Sequence, residues 1–138
     1  MSASKKQKVS ASLSSVLSNG EVTRELLEVL AENSFDSIML TDAEGKITYA
    51  NKGFTVLTGY EEDEVLGKSP DMLQGLGTDR KVISRLVEAM KIGGDFEGKA
   101  INFKKDGTPF IMFWRVLPVR VGGVLKGWVG IQRECSHS

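Results

Sequence analysis

Apolar residues recur at helical spacing in two parts of the chain. The first stripe follows Glu21 and the second follows Asp79, and each predicts an amphipathic helix. The stripes comprise Leu26, Leu27, Leu30 and Ala31 in the first helix, and Val82, Ile83, Leu86, Val87 and Met90 in the second. Asn33-Ser34 ends the first helix; Thr78 or Asp79 caps the second, and Gly93-Gly94 ends it.

Five other segments carry strand patterns, either alternating or continuously apolar. They are residues 34–42, 46–51, 96–105, 108–121 and 124–135. Turn residues separate the first two, and Asp106-Gly107 and Gly122-Gly123 mark hairpin turns between the last three. The pattern predicts an α+β fold, in which one five-stranded antiparallel sheet carries helices on one face.

Short helical pieces fill the middle of the chain. Asn51 is a suitable cap for a helix that ends at residues 58–60, and residues 61–66 form a further helical turn closed by Gly67. The loop GKSPDMLQGLGTD, residues 67–79, follows. Because these pieces must pack on the concave face of the sheet, we expect a pocket between the sheet and the helices.

Composition excludes several classes of function. The 138 residues include 18 Lys+Arg and 18 Asp+Glu, and this balance argues against a nucleic-acid binder. One cysteine, Cys135, and one histidine, His137, leave no metal cluster, catalytic triad or histidine-ligated haem, so an enzyme is not expected. The absence of a long apolar run argues against a membrane span, and a cytoplasmic location is expected. Residues 1–20 are expected to be a flexible or weakly helical leader, and residues 21–138 a single domain.

Five short motifs, in order, resemble the PAS family of sensory domains. They are TDxxGxIxxxN at residues 41–51, Phe54, TGY at 58–60, EVLG at 64–67 and KKDG at 104–107, with the spacing between them. The resemblance covers about residues 24–136. It implies the PAS fold, with the helices packed on one face of the sheet and an N-terminal helical extension.

A narrower resemblance is to the flavin-binding LOV domains. It rests on LQGxGTD at residues 73–79, NFKKDGTPF at 102–110 and GIQ at 130–132. The resemblance implies that Gln132 hydrogen-bonds the edge of the flavin ring and that Gly130 lies on the same pocket-facing side of the strand. It places Trp114 and Trp128 where LOV domains carry pocket phenylalanines.

Further pocket positions follow from the same resemblance. Asn102 matches a residue that hydrogen-bonds the pyrimidine edge of the flavin. Gln74, with Leu73 before it, lies in the retained LQG motif, and Gln74 is equally suited to stabilising its own loop. Thr41 and Asn51 match polar residues at the pocket mouth of some LOV domains, although a turn and a helix cap explain them more simply.

The chain also departs from the LOV pattern at the reactive cysteine and at several polar contacts to the flavin. Pro70 stands where the cysteine that bonds to the flavin under blue light is found, and Met112 replaces a second asparagine. Asp71 and Val87 replace the two arginines that bind the flavin phosphate. The loop is more similar to that of FAD-binding PAS redox sensors, which favours FAD first and FMN second.

The resemblance implies a sensor of flavin redox state, or of light-driven reduction, that forms no cysteinyl adduct. A cofactor-free dimerisation module and a sensor of another small ligand are the alternatives. The expected partners are a second copy, through the outer sheet face and the N-terminal helix, and a separate output domain, kinase or regulator. Neither nucleic acid nor membrane is expected as a partner.

Overall fold

The computed structural model describes the backbone of residues 20–135 and the side chains from residue 24. Helix α1 spans Gly20–Glu32, and residues from 34 onward form a separate compact unit. The backbone N–H and the side-chain amide of Asn33 both donate to the carbonyl oxygen of Val29, at 3.1 and 2.8 Å, and these bonds end the helix at the predicted residue. The expected leader, residues 1–19, lies outside the described residues.

The second unit contains the predicted five-stranded antiparallel sheet. The strands are β1 Ser37–Asp42, β2 Ile47–Ala50, β3 Phe96–Phe103, β4 Pro109–Val121 and β5 Val124–Glu134. Their order in the sheet is β2-β1-β5-β4-β3, and every neighbouring pair is antiparallel. This arrangement confirms the predicted α+β fold.

Three α-helices and a short 3-10 helix lie between β2 and β3. They are α2 Lys52–Thr58, α3 Glu62–Val65, the 3-10 helix Pro70–Leu73 and α4 Arg80–Lys91. Asn51 and Asp79 are the side-chain caps of α2 and α4, as their sequence positions predicted. The 3-10 helix was not predicted. It forms because Pro70 fixes the first helical φ and the Ser69 hydroxyl accepts a bond from the Asp71 N–H at 3.4 Å.

Two apolar clusters lie between the inner face of the sheet and the helices. The first consists of Phe96, Ala100, Phe110, Met112, Trp114, Val116 and Trp128, and the second of Met39, Ile47, Ala50, Phe54, Val65 and Leu73. Helix α4 packs against the first cluster through half-buried side chains, but none of its residues is fully buried. Because α4 does not close completely on the sheet, space remains between them.

The part of the chain from residue 20 to residue 135 contains no helix that is long and apolar enough to cross a membrane.

Candidate functional site

A cavity of about 440 Å³ lies between the sheet, α4 and the segment from Ser69 to Gln74. Its volume falls within the range of about 300–1,000 Å³ that is typical of small-molecule sites. The lining consists of Met39, Thr41, Glu44, Gly45, Ser69, Pro70, Asp71, Gln74, Arg80, Ile83, Leu86, Val87, Met90, Trp114, Val116, Trp128, Gly130 and Gln132. Aliphatic and aromatic side chains dominate the interior, and the charged groups are few.

The sheet forms the aromatic wall of the cavity. Trp128, Gly130 and Gln132 alternate along β5 and all are buried, and Trp114 pairs with Gln132 across the β4–β5 ladder. Gly130 presents bare backbone to the cavity: a Cβ there would lie 3.3 Å from Cε of Met39. The strand pattern therefore brings together four of the residues that the sequence singled out for the pocket.

Gln132 is held by a buried hydroxyl. Ser37 Oγ donates to Gln132 Oε1 at 2.6 Å, and each residue is only 2% exposed. With Oε1 engaged, the two N–H donors on Nε2 are what the amide offers to the cavity. Nε2 also lies on the Gly130 side, at 3.7 Å from the Cβ position of that glycine.

The opposite wall is the loop after α3. Pro70 and Gln74 line the cavity there, whereas Leu73, between them, is 1% exposed and packs into the second apolar cluster. Gln74 Oε1 accepts a hydrogen bond from Arg80 Nη2 at 3.3 Å. Gln74 thus stabilises its own loop and also lines the cavity, while its contact with a cofactor stays a prediction.

Thr78 ties this loop to the sheet, a role that the sequence did not predict. Its hydroxyl donates to the carbonyl oxygen of Ile101 at 2.7 Å and accepts from the N–H of Gly75 at 3.0 Å. Thr78 is 6% exposed, so these bonds are shielded from water. The loop from Gly75 to Thr78 is consequently fixed against β3.

A second, open hollow of about 520 Å³ adjoins the cavity at this loop. It is lined by Asp71, Gln74, Gly75, Leu76, Gly77, Thr78 and Arg80. Asp71, Gln74 and Arg80 belong to both hollows, so they form a shared rim. A ligand that filled the cavity could therefore continue across this rim onto the surface.

Four of the predicted contacts do not line the cavity: Asn102, Met112, Asn51 and Leu73. Asn102 is 2% exposed, and its Nδ2 donates to the carbonyl oxygen of Ala100 at 3.4 Å. Met112, 4% exposed, belongs to the first apolar cluster. Contact of either residue with a cofactor stays a prediction.

Asn51 is the helix cap that the simpler interpretation expected, whereas Thr41, expected as a turn residue, lies within β1. Asn51 Oδ1 accepts from the N–H groups of Ile38 and Phe54, at 2.8 and 2.9 Å, and its Nδ2 donates to Asp36 O at 3.0 Å. These bonds tie the start of α2 to β1. Thr41 lines the cavity, and its hydroxyl donates to Asp42 O at 2.9 Å.

Several lining residues were missing from the predicted site. Alternation along β1 could have identified Met39, because it shares a strand face with Thr41. Glu44 could not have been found in this way, because it reaches the cavity from the β1–β2 turn. Residues 20–135 contain no group of three or more metal-ligating side chains.

An antiparallel sheet, short helices on one face and an apolar cavity between them define a small α+β domain with a ligand-sized cavity. A family model described as PAS domain matches residues 36–137. The chain belongs to the PAS domain family.

Two curated relatives and one solved structure narrow the comparison. The chain is 36% identical over 119 residues to phototropin-2 of Oryza sativa subsp. japonica, and the match covers 83% of this chain and 13% of that protein. It is 30% identical over 114 residues to a nitrogen fixation regulatory protein of Klebsiella pneumoniae, with 82% of this chain and 23% of that protein covered.

The solved structure is a light-oxygen-voltage domain studied with a flavin analogue, to which the chain is 30% identical with a TM-score of 0.74. That match covers 81% of this chain and 85% of the solved one. The chain thus corresponds to one sensory domain and spans only a small part of the two curated relatives.

Proposed function

We propose that this chain is a flavin-binding sensory domain that prefers FAD to FMN and reports the reduction state of the flavin. The proposal is carried by one observation: the cavity combines the aromatic side chains of Trp114 and Trp128 with the N–H donors of Gln132. A flat aromatic ring with acceptor atoms on one edge suits both features. Similarity to a phototropin and to a light-oxygen-voltage domain supports the same ligand class.

The residues present fit the ring end of a flavin better than its phosphate end. The interior is apolar, and aliphatic side chains of α4 face the two tryptophans across the cavity. The lining of the cavity carries the carboxylates of Glu44 and Asp71 but only one cation, Arg80. The open hollow beyond the rim favours FAD, because its adenosine part would have a surface to lie on.

A bound flavin supplies reversible electron uptake and absorption of blue light. The protein's part is to sense the proton on the ring edge. The Gln132 amide can present either end by rotating, because its oxygen and nitrogen ends are nearly isosteric. The Ser37 hydroxyl can follow this rotation, because it can accept from Nε2 as readily as it donates to Oε1.

The residues at the cavity supply no thiol for an adduct. Pro70 lines the cavity at the position that the LOV resemblance assigns to the reactive cysteine. Cys135 follows the end of β5 and is not among the lining residues. We therefore infer that signalling proceeds through electron transfer, with a tryptophan of the wall as a candidate donor under light.

A rotation of Gln132 can be transmitted out of the domain along the polypeptide chain at two places. Arg133, the next residue, forms an ion pair with Asp36 at 2.9 Å, and Asp36 immediately precedes Ser37. Both ends of the Ser37–Gln132 hydrogen bond therefore adjoin this pair, next to the residues that leave the sheet at 34 and 135. We propose that a separate output domain or regulator reads the change there.

Hydrogen exchange measured on the reconstituted protein, oxidised and reduced, tests the sensory role. We expect the rate of amide hydrogen exchange at residues 34–38 and 131–135 to change when the flavin is reduced, while the rate in α3 stays constant. A Gln132→Leu variant should bind flavin but lose the difference. Identical exchange in the two states of the wild-type protein would contradict the proposal.

A further inference from the structure

The rim shared by the two hollows contains a single cationic side chain, Arg80. The other charged residues that line the hollows are the carboxylates Glu44 and Asp71, and Asp71 borders both. A phosphate that entered this rim would therefore have one partner of opposite charge. Arg80 forms no ion pair with any residue that the structure describes, so its charge remains available.

Arg80 is nevertheless held in a defined position. Its Nε donates to the carbonyl oxygen of Thr78 at 3.3 Å, and its Nη2 donates to Gln74 Oε1 at 3.3 Å. These bonds use two of the five N–H donors of a guanidinium, which leaves three for a ligand. A planar group with several free donors matches the oxygens of a phosphate.

The anchor of Arg80 is itself rigid. Thr78, which orients the guanidinium through its carbonyl oxygen, is bonded through its hydroxyl to β3 and to the N–H of Gly75. Gln74 is the other anchor, and it lines both hollows. The side chain is thus set at the rim before a ligand arrives, and the entropy cost of ordering it on binding is reduced.

We propose that Arg80 is the phosphate-binding residue of this domain, in place of arginines that the chain lacks at positions 71 and 87. This inference rests on the proposed flavin function. The ring and its sugar alcohol chain lie in the cavity, the phosphate next to the ring lies at the rim against Arg80, and the remainder of FAD lies in the open hollow over Gly75–Thr78.

Asp71 opposes this interaction from the same rim. A carboxylate close to a phosphate is repulsive, and the repulsion is greatest for FMN, whose terminal phosphate carries nearly two charges. In FAD each of the two phosphates carries one charge, and the second can move away from the rim toward the open hollow. Asp71 therefore biases the rim toward FAD, because it repels the FMN phosphate more strongly.

Affinities for riboflavin, FMN and FAD at low salt test the proposal, because riboflavin has the ring but no phosphate. Arg80→Gln should weaken FAD and FMN binding by about 10- to 100-fold, the usual effect of losing a charged hydrogen bond, and riboflavin binding by less than about threefold. Arg80→Lys should restore part of the loss. Lys81→Gln, which removes an exposed cation one residue away, is the matched control and should change none of the three affinities.

The Asp71→Asn variant should change flavin affinity in the opposite direction to Arg80→Gln. It should strengthen FMN binding by about tenfold, leave riboflavin binding unchanged and narrow the preference for FAD. Equal losses for all three flavins in Arg80→Gln, or no loss, would overturn the role of Arg80 while leaving flavin binding intact. A wild-type protein that binds none of the three would overturn the proposed function as well.

Discussion

Ser37 and Gln132 lie 95 positions apart in the sequence, yet the Ser37 hydroxyl donates a 2.6 Å hydrogen bond to the Gln132 side chain. The bond crosses from the first residue of β1 to β5, and the two residues are register partners in the ladder. It joins the polar group of the cavity wall to the strand that follows residues 34–36. A change at the cavity can therefore reach the start of the domain through one contact.

Replacing Ser37 by alanine tests the contribution of this bond to stability. Gln132 Oε1 would lose its donor in a buried position, and we expect the free energy of unfolding to fall by about 1–3 kcal/mol. Urea unfolding of the protein without flavin measures the loss. Ser84→Ala, at an exposed position of α4, is the control and should change stability by less than about 0.5 kcal/mol. Equal stability of Ser37→Ala and wild type would show that the amide does not depend on this hydroxyl.

The Pro70→Cys variant tests the photochemical part of the account. Pro70 lines the cavity, so a thiol at this position would face a bound flavin. We expect illumination of the reconstituted variant to produce a reversible thiol adduct, seen as loss of the flavin absorption bands. The wild-type protein under the same light should lose these bands only when an electron donor reduces the flavin. Adduct formation in the wild type would contradict the role assigned to Pro70.

The strand pattern predicted most of the fold because the two faces of the sheet produce a regular alternation of residues in the sequence. Trp128, Gly130 and Gln132 were assigned correctly to one face by alternation alone. The strand ends were less accurate: Lys104 and Lys105, predicted within β3, lie in the turn that follows it. There the backbone N–H of Lys105 bonds to Thr58 O at 2.8 Å, a contact between distant segments that no local pattern reveals.

The candidate site was less predictable than the fold for the same reason. Arg80 and Glu44 reach the cavity from a helix start and a turn, and only the packing of these segments on the sheet decides which side chains meet. Leu73 shows the converse, because the turn of the 3-10 helix directs it into the second apolar cluster while its neighbour Gln74 reaches the cavity. Local sequence identified the loop, and tertiary contacts selected the residues within it.

The Glu64–Lys105 ion pair predicts how stability depends on pH. The Lys105 ammonium, and then the backbone N–H of Glu61, lower the pKa of Glu64 below its ordinary 4.5, while Glu64 raises the pKa of Lys105 above 10.5. A lowered carboxyl pKa gives stability that is lost as pH falls through the folded value; a raised lysine pKa gives stability that is lost as pH rises through the folded value. The pair should therefore stabilise the fold fully between the ordinary pKa values of the two groups, 4.5 and 10.5.

Lys105→Met removes this contribution. We expect a small decrease in the urea midpoint at neutral pH, because both side chains are partly exposed, and a shallower fall in stability on the acid side. Urea midpoints from acid to neutral pH measure both effects. Lys99→Met, at an exposed position of β3, is the control. Parallel pH curves for Lys105→Met and wild type would contradict the assignment.

The outer face of the sheet is the surface through which we expect the chain to self-associate. Val129 and Ile131 alternate with the buried residues of β5 and so face away from the cavity, and Ile131 has Ile38 and Arg115 as its neighbours across the sheet. We propose that a second copy of the chain covers this face. Ile131→Glu should convert a dimer into a monomer in sedimentation experiments, whereas Lys126→Glu, on the same strand, should not. A wild-type protein that is monomeric at high concentration would rule out this dimer.

Direct titration tests whether the cavity binds a flavin. Purified protein freed of ligand is titrated with FAD and with FMN while flavin fluorescence is followed, alongside a Gly130→Leu variant whose side chain would fill the cavity. We expect one flavin per wild-type chain, with FAD bound more tightly than FMN and with its fluorescence quenched by the neighbouring tryptophans. A folded Gly130→Leu variant should bind neither flavin. A folded wild-type chain that binds neither flavin, or that binds them no better than the variant, would contradict flavin binding at the cavity.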